Sequence, residues 1–199
     1  MSTDGLSGGS KLQAYLDELV KRVGEGKAVR VGFLENSSYP DGTPTALVAA
    51  AQEFGATIEM PARQQTIYRK IDSAGAFSKN GRFVTAEKSN YATTHAVEAH
   101  TITVPARPYF RRMIASKSGE WGPQSGKYLV ASQFDASKAL ALMGELIRGE
   151  LQDSIRNLTD PKLAASTIKK KGFAKPLIDS GHMLNSADYE ITESGDGSA

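Results

Sequence analysis

The chain has 199 residues, a formal net charge of +2 and no cysteine. A domain of this length buries roughly 70% of its unfolded surface and needs no disulfide or metal ion to fold, and the lack of cysteine excludes thiol nucleophiles, disulfide scaffolds and cysteine-based zinc sites. The charge is too small for a strongly basic nucleic-acid-binding face, and no apolar run approaches the roughly 18 residues of a membrane span. We therefore expect a soluble intracellular protein of one domain, with or without an extension.

The N-terminal third predicts a leader, a helix and a strand. Residues 1–9 lack the features of a signal peptide and are expected to form a flexible leader. Residues 28–35 alternate apolar and polar side chains, which predicts a strand. Before it, a helix over 10–24, capped by Ser10, is indicated by apolar residues at helical spacing: Leu12, Leu16, Leu19, Val20 and Val23.

The middle of the chain predicts a short helix followed by a β-arm. The helix covers 45–55, with Thr45 as a possible cap and Gly55 just past its end. Residues 57–104 are expected to form an inserted arm of about three strands. The strand-like runs are 64–71, 81–88 and 91–104, and turn residues lie between the first two of them. The mixed polarity of these runs indicates that the arm has no core of its own.

Two six-residue phrases have nearly the same sequence, IEMPAR at 58–63 and ITVPAR at 102–107. Proline lacks the backbone N–H needed in a β-ladder, so a strand that reaches Pro-Ala-Arg is expected to stop there. Two such stops predict a chain that leaves a core, makes an excursion and returns.

The second half is predicted to be mainly helical, with a closing strand within 177–192. Together with the first half it predicts an α+β fold, a small antiparallel sheet packed with helices plus a protruding β-arm. The core would comprise 10–56 and 105–192, and 193–199 would be a flexible tail. The predicted segments are a helix over 108–119 with Pro108 in its first turn, a loop over 120–126, a long amphipathic helix over 133–158 and a short helix over 160–172 begun by Asp160-Pro161.

Candidate catalytic and metal-binding groups are sparse. His95 and His100 fall in a strand region and not on one helical face, so exposed histidines explain them better than a zinc site. Ser166 and Lys169 match Ser-x-x-Lys but lack its partner motifs, and pairs such as Asp179 and Asp188 occur in any chain of this length. We predict no enzyme activity and no cofactor.

Two basic clusters and one tryptophan are candidates for contacts. Lys169–Lys171 forms one cluster with Lys175, and Arg107, Arg111 and Arg112 form the other. A solvated face is the default interpretation, followed by contacts with a neighbouring subunit and then with phosphate. Trp121 is expected to be a loop or interface anchor.

Three phrases resemble proteins of the neck of tailed bacteriophages. ALVAAAQEFG (46–55) resembles the helix ending in Glu-Phe-Gly of tail-completion or head–tail joining proteins, and ITVPARPYFRRMI (102–114) is similar to the segment that follows it. Residues 163–191 resemble virion-morphogenesis proteins of Mu-like phages. Such relatives often connect the first two phrases by a short loop, whereas this chain inserts 57–104.

The resemblance implies a structural virion protein that forms a ring of six or twelve copies at the phage neck. Its implied partners are further copies of itself, a head-side adaptor or portal-proximal protein, and the tail tube or tail terminator. Genome DNA would pass through the lumen without sequence-specific contact, and no membrane is involved. It would be assembled in the host cytoplasm.

Two alternatives stay open: a tail terminator that caps the tail tube, and a basic DNA-binding accessory protein. The residues expected to contact a subunit or partner are Tyr68, Phe83, Arg107, Tyr109, Arg111, Trp121, Lys169, Lys170 and Lys171.

Overall fold

The computed structural model describes residues 9–24 and 26–193 and divides them into two compact units. The core unit comprises the described residues of 9–55 and 105–193, and the inserted unit comprises 56–104. Within these ranges no helix is long and apolar enough to cross a membrane.

Helices and small antiparallel sheets together confirm the predicted α+β class. The strands are β1 (Lys27–Phe33), β2 (Ala56–Met60), β3 (Arg63–Arg69), β4 (Tyr91–Val97), β5 (His100–Val104) and β6 (Ala187–Glu193). The α-helices are α1 (Gly9–Gly24), α2 (Thr45–Phe54), α3 (Tyr109–Ala131), α4 (Ala136–Asn157), α5 (Ala165–Lys171) and α6 (His182–Asn185).

Helix α4 is the centre of the core unit, because α3 and the antiparallel β1–β6 sheet both pack against it. The Asp135 carboxylate begins the helix by accepting a hydrogen bond from the Lys138 N–H at 3.0 Å. The predicted apolar stripe supplies the buried side chains of Met143, Leu151, Ile155 and Leu158. They belong to a core that also contains Ala49, Tyr109, Met113, Leu177, Met183 and Ala187.

Gly144 allows strand β6 to lie close to α4. A Cβ atom placed at Gly144 would lie 2.2 Å from Cδ2 of Tyr189, which is a steric overlap. The half-buried Tyr189 ring therefore occupies the space above this glycine. Tyr189 is opposite Val31 in the β1–β6 register, so this contact also positions β1.

The prediction of a loop over 120–126 was wrong, because α3 continues without interruption to Ala131 and contains Pro123. The prediction depended on Gly119, Gly122 and Pro123, which are local helix breakers. Packing along α4 stabilises the helix over its length. These tertiary contacts outweigh the unfavourable local propensity.

Three predicted helix starts also differ from the structure. Ser10 lies inside α1, which begins at Gly9. Thr45 is the first residue of α2 and is fully buried, so it is a packing residue and not the cap; Pro44 occupies the capping position. The helix expected from Asp160-Pro161 begins only at Ala165.

The inserted unit is a two-stranded antiparallel ribbon and not the expected arm of three strands. β2 pairs with β5 and β3 pairs with β4. Ala56 pairs with Val104, and Arg63 pairs with Val97. The number of residues between Ala56 and Arg63 equals the number between Val97 and Val104, so the β2–β5 and β3–β4 pairs share one continuous register. The predicted strand over 81–88 is wrong, since this segment is irregular over 82–85 and forms a short 3₁₀ turn at Ala86–Lys88.

The repeated phrase has two different structural roles. Ile58 and Ile102 are direct partners in the ribbon, so the apolar halves of the two phrases pair with each other. Pro61 interrupts the ribbon between β2 and β3, whereas Pro105 follows β5 at the return to the core unit. The first phrase is therefore a break within the excursion and not its beginning.

Candidate interaction sites

Glu53 joins the C-terminal end of α2 to the N-terminal end of α3. Its side chain is buried, and the residue is 4% exposed. The carboxylate accepts hydrogen bonds from the backbone N–H groups of Phe110 (2.9 Å) and Arg111 (3.2 Å), and from Arg111 Nε (2.8 Å). The first N–H groups of a helix have no partner within the helix and favour negative charge. Glu53 therefore caps α3 from a distant part of the chain.

Arg107 was predicted as a partner contact, but it is only 6% exposed. Its backbone N–H donates to the Gln52 carbonyl at 2.7 Å, and Nη1 donates to Gln52 Oε1 at 2.7 Å. Burial lowers the pKa of this guanidinium, and Nε has no hydrogen-bond partner among the described residues. Because the side chain is buried, Arg107 has little surface to offer a neighbour.

Tyr109 was also predicted as a contact and is instead a core residue. The side chain is fully buried, and its hydroxyl donates to the Ala49 carbonyl at 3.2 Å. Burial is the main cause that raises the pKa of this hydroxyl, and the charge of Glu53 adds to it. Ser154 donates to the Tyr109 carbonyl at 2.7 Å, which ties α3 to α4.

Arg111 and Phe54 form an exposed platform beside Glu53. The guanidinium carbon of Arg111 lies 5.0 Å from the centroid of the Phe54 ring, within the range of a cation–π contact. Phe54 is 66% exposed, whereas Phe110 packs against the core cluster. A shallow cavity of about 280 Å³ beside the platform is lined in part by Val31, Phe33, Ala46 and Ala50.

An aromatic cluster lies at the distal end of the inserted ribbon. The guanidinium carbon of Arg69 lies 5.2 Å from the Phe77 ring centroid and 5.4 Å from that of Phe83, and Tyr91 contacts Phe77 edge-on at 5.6 Å. Phe83, a predicted contact residue, is 68% exposed, and Tyr68 is half-buried. Sequence reasoning missed Arg69, Phe77 and Tyr91, because the β3–β4 register pairs Arg69 with Tyr91 and the turns between them add Phe77.

Trp121 and part of the lysine cluster make hydrogen bonds within the chain. Trp121 is not a loop anchor, since it lies on α3 and its Nε1 donates to Glu150 Oε2 on α4 at 2.8 Å. Lys171 Nζ donates to the carbonyls of Lys175 (2.9 Å) and Ile178. Lys169 and Lys170 are exposed at the end of α5, and Lys175 is exposed as well, so three of the four clustered lysines are exposed.

The predicted catalytic candidates do not converge on a site. His95 Nε2 lies 2.9 Å from Thr93 Oγ1, and His100 Nδ1 lies 3.1 Å from the Glu98 carbonyl oxygen, both on the exposed ribbon. Asp188 lies near Arg148 on α4, whereas Asp179 is near Tyr39. Ser166 and Lys169 are exposed on α5. Within 9–24 and 26–193, no group of three or more His, Asp or Glu residues is arranged to hold a metal ion.

A partly buried polar cluster that the sequence did not predict joins α2 to α6. Ser37 Oγ donates to Thr45 Oγ1 at 2.8 Å, and Thr45 Oγ1 lies 3.3 Å from His182 Nε2. The Tyr39 ring stacks at a tilt on His182, 4.4 Å between centroids. Burial raises the pKa of Tyr39, as does the nearby charge of Asp179. Through these contacts the cluster connects the residues before α2 to the start of α6.

A scan against protein-family models found no match to this chain, and searches of curated proteins and of solved structures found none either.

Proposed function

We propose that this chain is a structural virion protein of a tailed phage, a ring-forming neck subunit that completes the tail and joins it to the head. One observation carries the proposal: no described side chain of the inserted unit is buried. Two-stranded ribbons are marginal alone, so a long ribbon without a core is suited to contacts with another subunit through its edges and its aromatic end.

The contact made by Glu53 gives independent support. The two phrases that resemble neck proteins, 46–55 and 102–114, are separated by the insertion in sequence. They meet in the core unit, where Gln52 and Glu53 bond to Arg107, Phe110 and Arg111. These phrases therefore act as one structural element, into which the ribbon is inserted without breaking the contact.

In this role the protein acts by assembly. Copies of the chain form a closed ring with rotational symmetry, in which each subunit contacts the next through different surfaces. The ring contacts a head-side adaptor or portal-proximal protein on one side and the tail tube or its terminator on the other. The genome passes through the lumen without sequence readout.

The test is a complementation assay with isolated phage particles. Purified protein is mixed with tailless heads and headless tails, and joined particles are counted by electron microscopy and by infectivity. The neck proposal expects joining that depends on the protein. Protein that binds tails but joins no heads would instead support a tail terminator, and protein that binds neither particle would overturn the proposal.

A shortened ribbon provides the matched variant. Met60 and His100 are direct partners, so replacing 61–99 by Asn-Gly closes β2 and β5 into a hairpin with a favoured two-residue turn. The core unit keeps its full sequence, and its fold is checked by circular dichroism. We expect this variant to fold and to lose joining activity, and full activity would contradict a role for the ribbon.

The DNA-binding alternative has weaker support, since Lys171 and Lys175 of the cluster both donate to backbone carbonyls within the chain. Duplex DNA binding that weakens steeply with salt would favour it.

A further inference from the structure

The guanidinium of Arg69, at the distal end of the ribbon, has no acceptor in its own chain. It makes neither a hydrogen bond nor an ion pair with any residue that the structure describes, and its Nε atom is buried without a partner. An unpaired buried donor is unfavourable, because it has lost contact with water and gained no acceptor in exchange. Arg69 therefore has donors available for an acceptor that another molecule brings.

Two aromatic rings cover this guanidinium without using its donors. Its carbon atom lies 5.2 Å from the Phe77 ring centroid and 5.4 Å from that of Phe83. An aromatic ring attracts the positive charge through its face, but a phenylalanine has no oxygen or nitrogen that accepts a hydrogen bond. The rings hold the planar group in place, and its N–H groups keep their capacity for a planar oxyanion.

Backbone hydrogen bonds fix the two segments that carry these rings. The Ser78 N–H donates to the Lys70 carbonyl at 2.8 Å, and the Val84 N–H donates to the Tyr68 carbonyl at 3.0 Å. Each donor comes directly after one of the two phenylalanines in the chain, and each acceptor is a neighbour of Arg69. A site that is fixed before binding loses less conformational entropy when a partner arrives. The ribbon thus has an organised contact site at its end.

The charges around Arg69 favour a single carboxylate over a polyanion. Strands β3 and β4 contain no Asp or Glu, so no acidic side chain of the paired strands competes for the guanidinium. The turns beyond them carry exposed Asp72 and Glu87 as well as exposed Lys70 and Arg82. A nucleic acid is bound by a uniformly basic face, which these mixed charges do not provide, whereas one acidic side chain needs only the guanidinium.

We propose that the distal end of the ribbon binds an acidic side chain of a protein partner, whose carboxylate pairs with Arg69. Phe77 and Phe83 are 47% and 68% exposed, so both rings have apolar area left to bury against the partner. Arginine binds carboxylates through two parallel hydrogen bonds, and arginine and aromatic residues are enriched at the centres of protein interfaces. The inference rests on the proposed function, in which the ribbon end contacts another subunit, and adds the chemistry of that contact.

Neutralising Arg69 tests whether the contact needs its charge. Arg69→Gln should raise the protein concentration at half-maximal assembly, or at half-maximal joining of heads to tails, by about tenfold or more. Arg82→Gln, the same change at an exposed arginine of the same ribbon end, is the matched control and should have little effect. Circular dichroism checks that both variants fold. Equal behaviour of Arg69→Gln and the unchanged protein would overturn the proposal.

Cross-linking identifies the acceptor. A water-soluble carbodiimide couples an amine to a carboxylate that is in direct contact with it, so the amine introduced by Arg69→Lys marks the carboxylate paired at this site. We expect mass spectrometry to find a cross-link from position 69 to an Asp or Glu of another protein molecule. Arg82→Lys is the matched control and should give little of this product.

Two outcomes of the cross-linking would overturn the proposal. Coupling of position 69 to Asp72 or Glu87 of the same chain would show that the chain supplies its own acceptor. The absence of product above the Arg82→Lys control, in a sample that assembles or joins particles, would show that no carboxylate lies at the site.

A thymidine oligonucleotide distinguishes a phosphate partner from a carboxylate partner. We expect the unchanged protein not to bind it through this site. Oligonucleotide binding that Arg69→Gln loses and Arg82→Gln keeps would overturn the acidic protein partner in favour of a nucleic acid.

The inference and the proposed function fail separately. Joining of heads to tails that Arg69→Gln leaves unchanged would keep the neck proposal and overturn the inference. A cross-link from position 69 to a second copy, in protein that binds neither heads nor tails, would overturn the neck proposal and leave the carboxylate site intact.

Discussion

Glu53 shows how a single buried carboxylate can hold distant parts of the chain together. Its two oxygens accept three N–H groups at the start of α3, two of them from the backbone. A buried donor that loses its acceptor costs more than an average hydrogen bond contributes, because the donor is left without water. The glutamate is therefore central to the packing of α2 on α3.

We predict that Glu53→Ala lowers the free energy of unfolding by about 2–3 kcal/mol, because it leaves the N–H groups of Phe110 and Arg111 unpaired. Glu53→Gln keeps an acceptor oxygen and should cost less. Chemical denaturation of each variant provides the measurement. Glu120→Ala, which removes an exposed carboxylate from the same helix α3, is the control; equal effects at Glu53 and Glu120 would contradict the capping role.

Asp135 gives a prediction for pH. The backbone hydrogen bond from Lys138 is the main cause that lowers the pKa of this carboxyl below its ordinary value of 3.8. A lowered pKa in the folded state means that the charged form stabilises the fold. Its contribution is complete above the ordinary pKa and is lost as the pH falls through the lower, folded value.

We therefore expect Asp135→Ala to have a lower Tm than the unchanged protein at pH 7, because α4 loses its cap. The difference between the two should narrow as the pH falls below about 3.8. Asp135→Asn keeps a capping oxygen without the charge, so its Tm should not respond to this titration. A Tm difference that is constant from pH 7 to pH 2 would refute the assignment.

From the sequence, the chemical type of a candidate residue could be read, but its burial and its partners could not. The sequence predicted Arg107, Tyr109 and Arg111 alike as contact residues, but it gave no sign that the first two are buried and the third exposed. That difference depends on Gln52 and Glu53, which come before the insertion in the chain. A contact between residues this far apart leaves no local pattern in the sequence.

At the scale of elements, strong periodicity predicted the structure well. The apolar stripe of α4 and the alternation in β1 identified both elements, with ends that differ by a few residues. The prediction failed where tertiary packing or irregular turns decide the conformation. α3 passes through Pro123 because it packs on α4. The segment 81–88 has a strand-like composition but is irregular and ends in a 3₁₀ turn at Ala86–Lys88.

The packing of β6 on α4 depends on Gly144, and we predict that Gly144→Ala destabilises the protein by about 1–3 kcal/mol through overlap with the Tyr189 ring. Alanine is more favourable than glycine in a helix by about 1 kcal/mol. The measured loss of stability is therefore the cost of the steric overlap minus this gain. Thermal or chemical unfolding gives the measurement.

Gly149 is the matched control, because it lies on the same helix and a Cβ atom added there would have nothing within 4 Å, so Gly149→Ala should stabilise the protein. In a Tyr189→Ala background, Gly144→Ala should lose its penalty. A penalty that persists without the tyrosine ring would show that the close approach of β6 is not its cause.

At the scale of the whole molecule, the chain combines a core unit that has its own buried cluster with an inserted unit whose described side chains are all at least partly exposed. The core unit also presents exposed apolar side chains of α1 and the Phe54–Arg111 platform. This distribution of apolar surface is typical of a subunit whose interfaces are completed by assembly.

The mass of the purified protein, determined by light scattering with negative-stain images of the same sample, tests the central claim most directly. We predict closed rings of six or twelve copies, which the variant with 61–99 replaced by Asn-Gly forms less well. A protein that is monomeric at all concentrations, and that stays monomeric when heads and tails are added, would contradict the proposal of a ring-forming neck subunit.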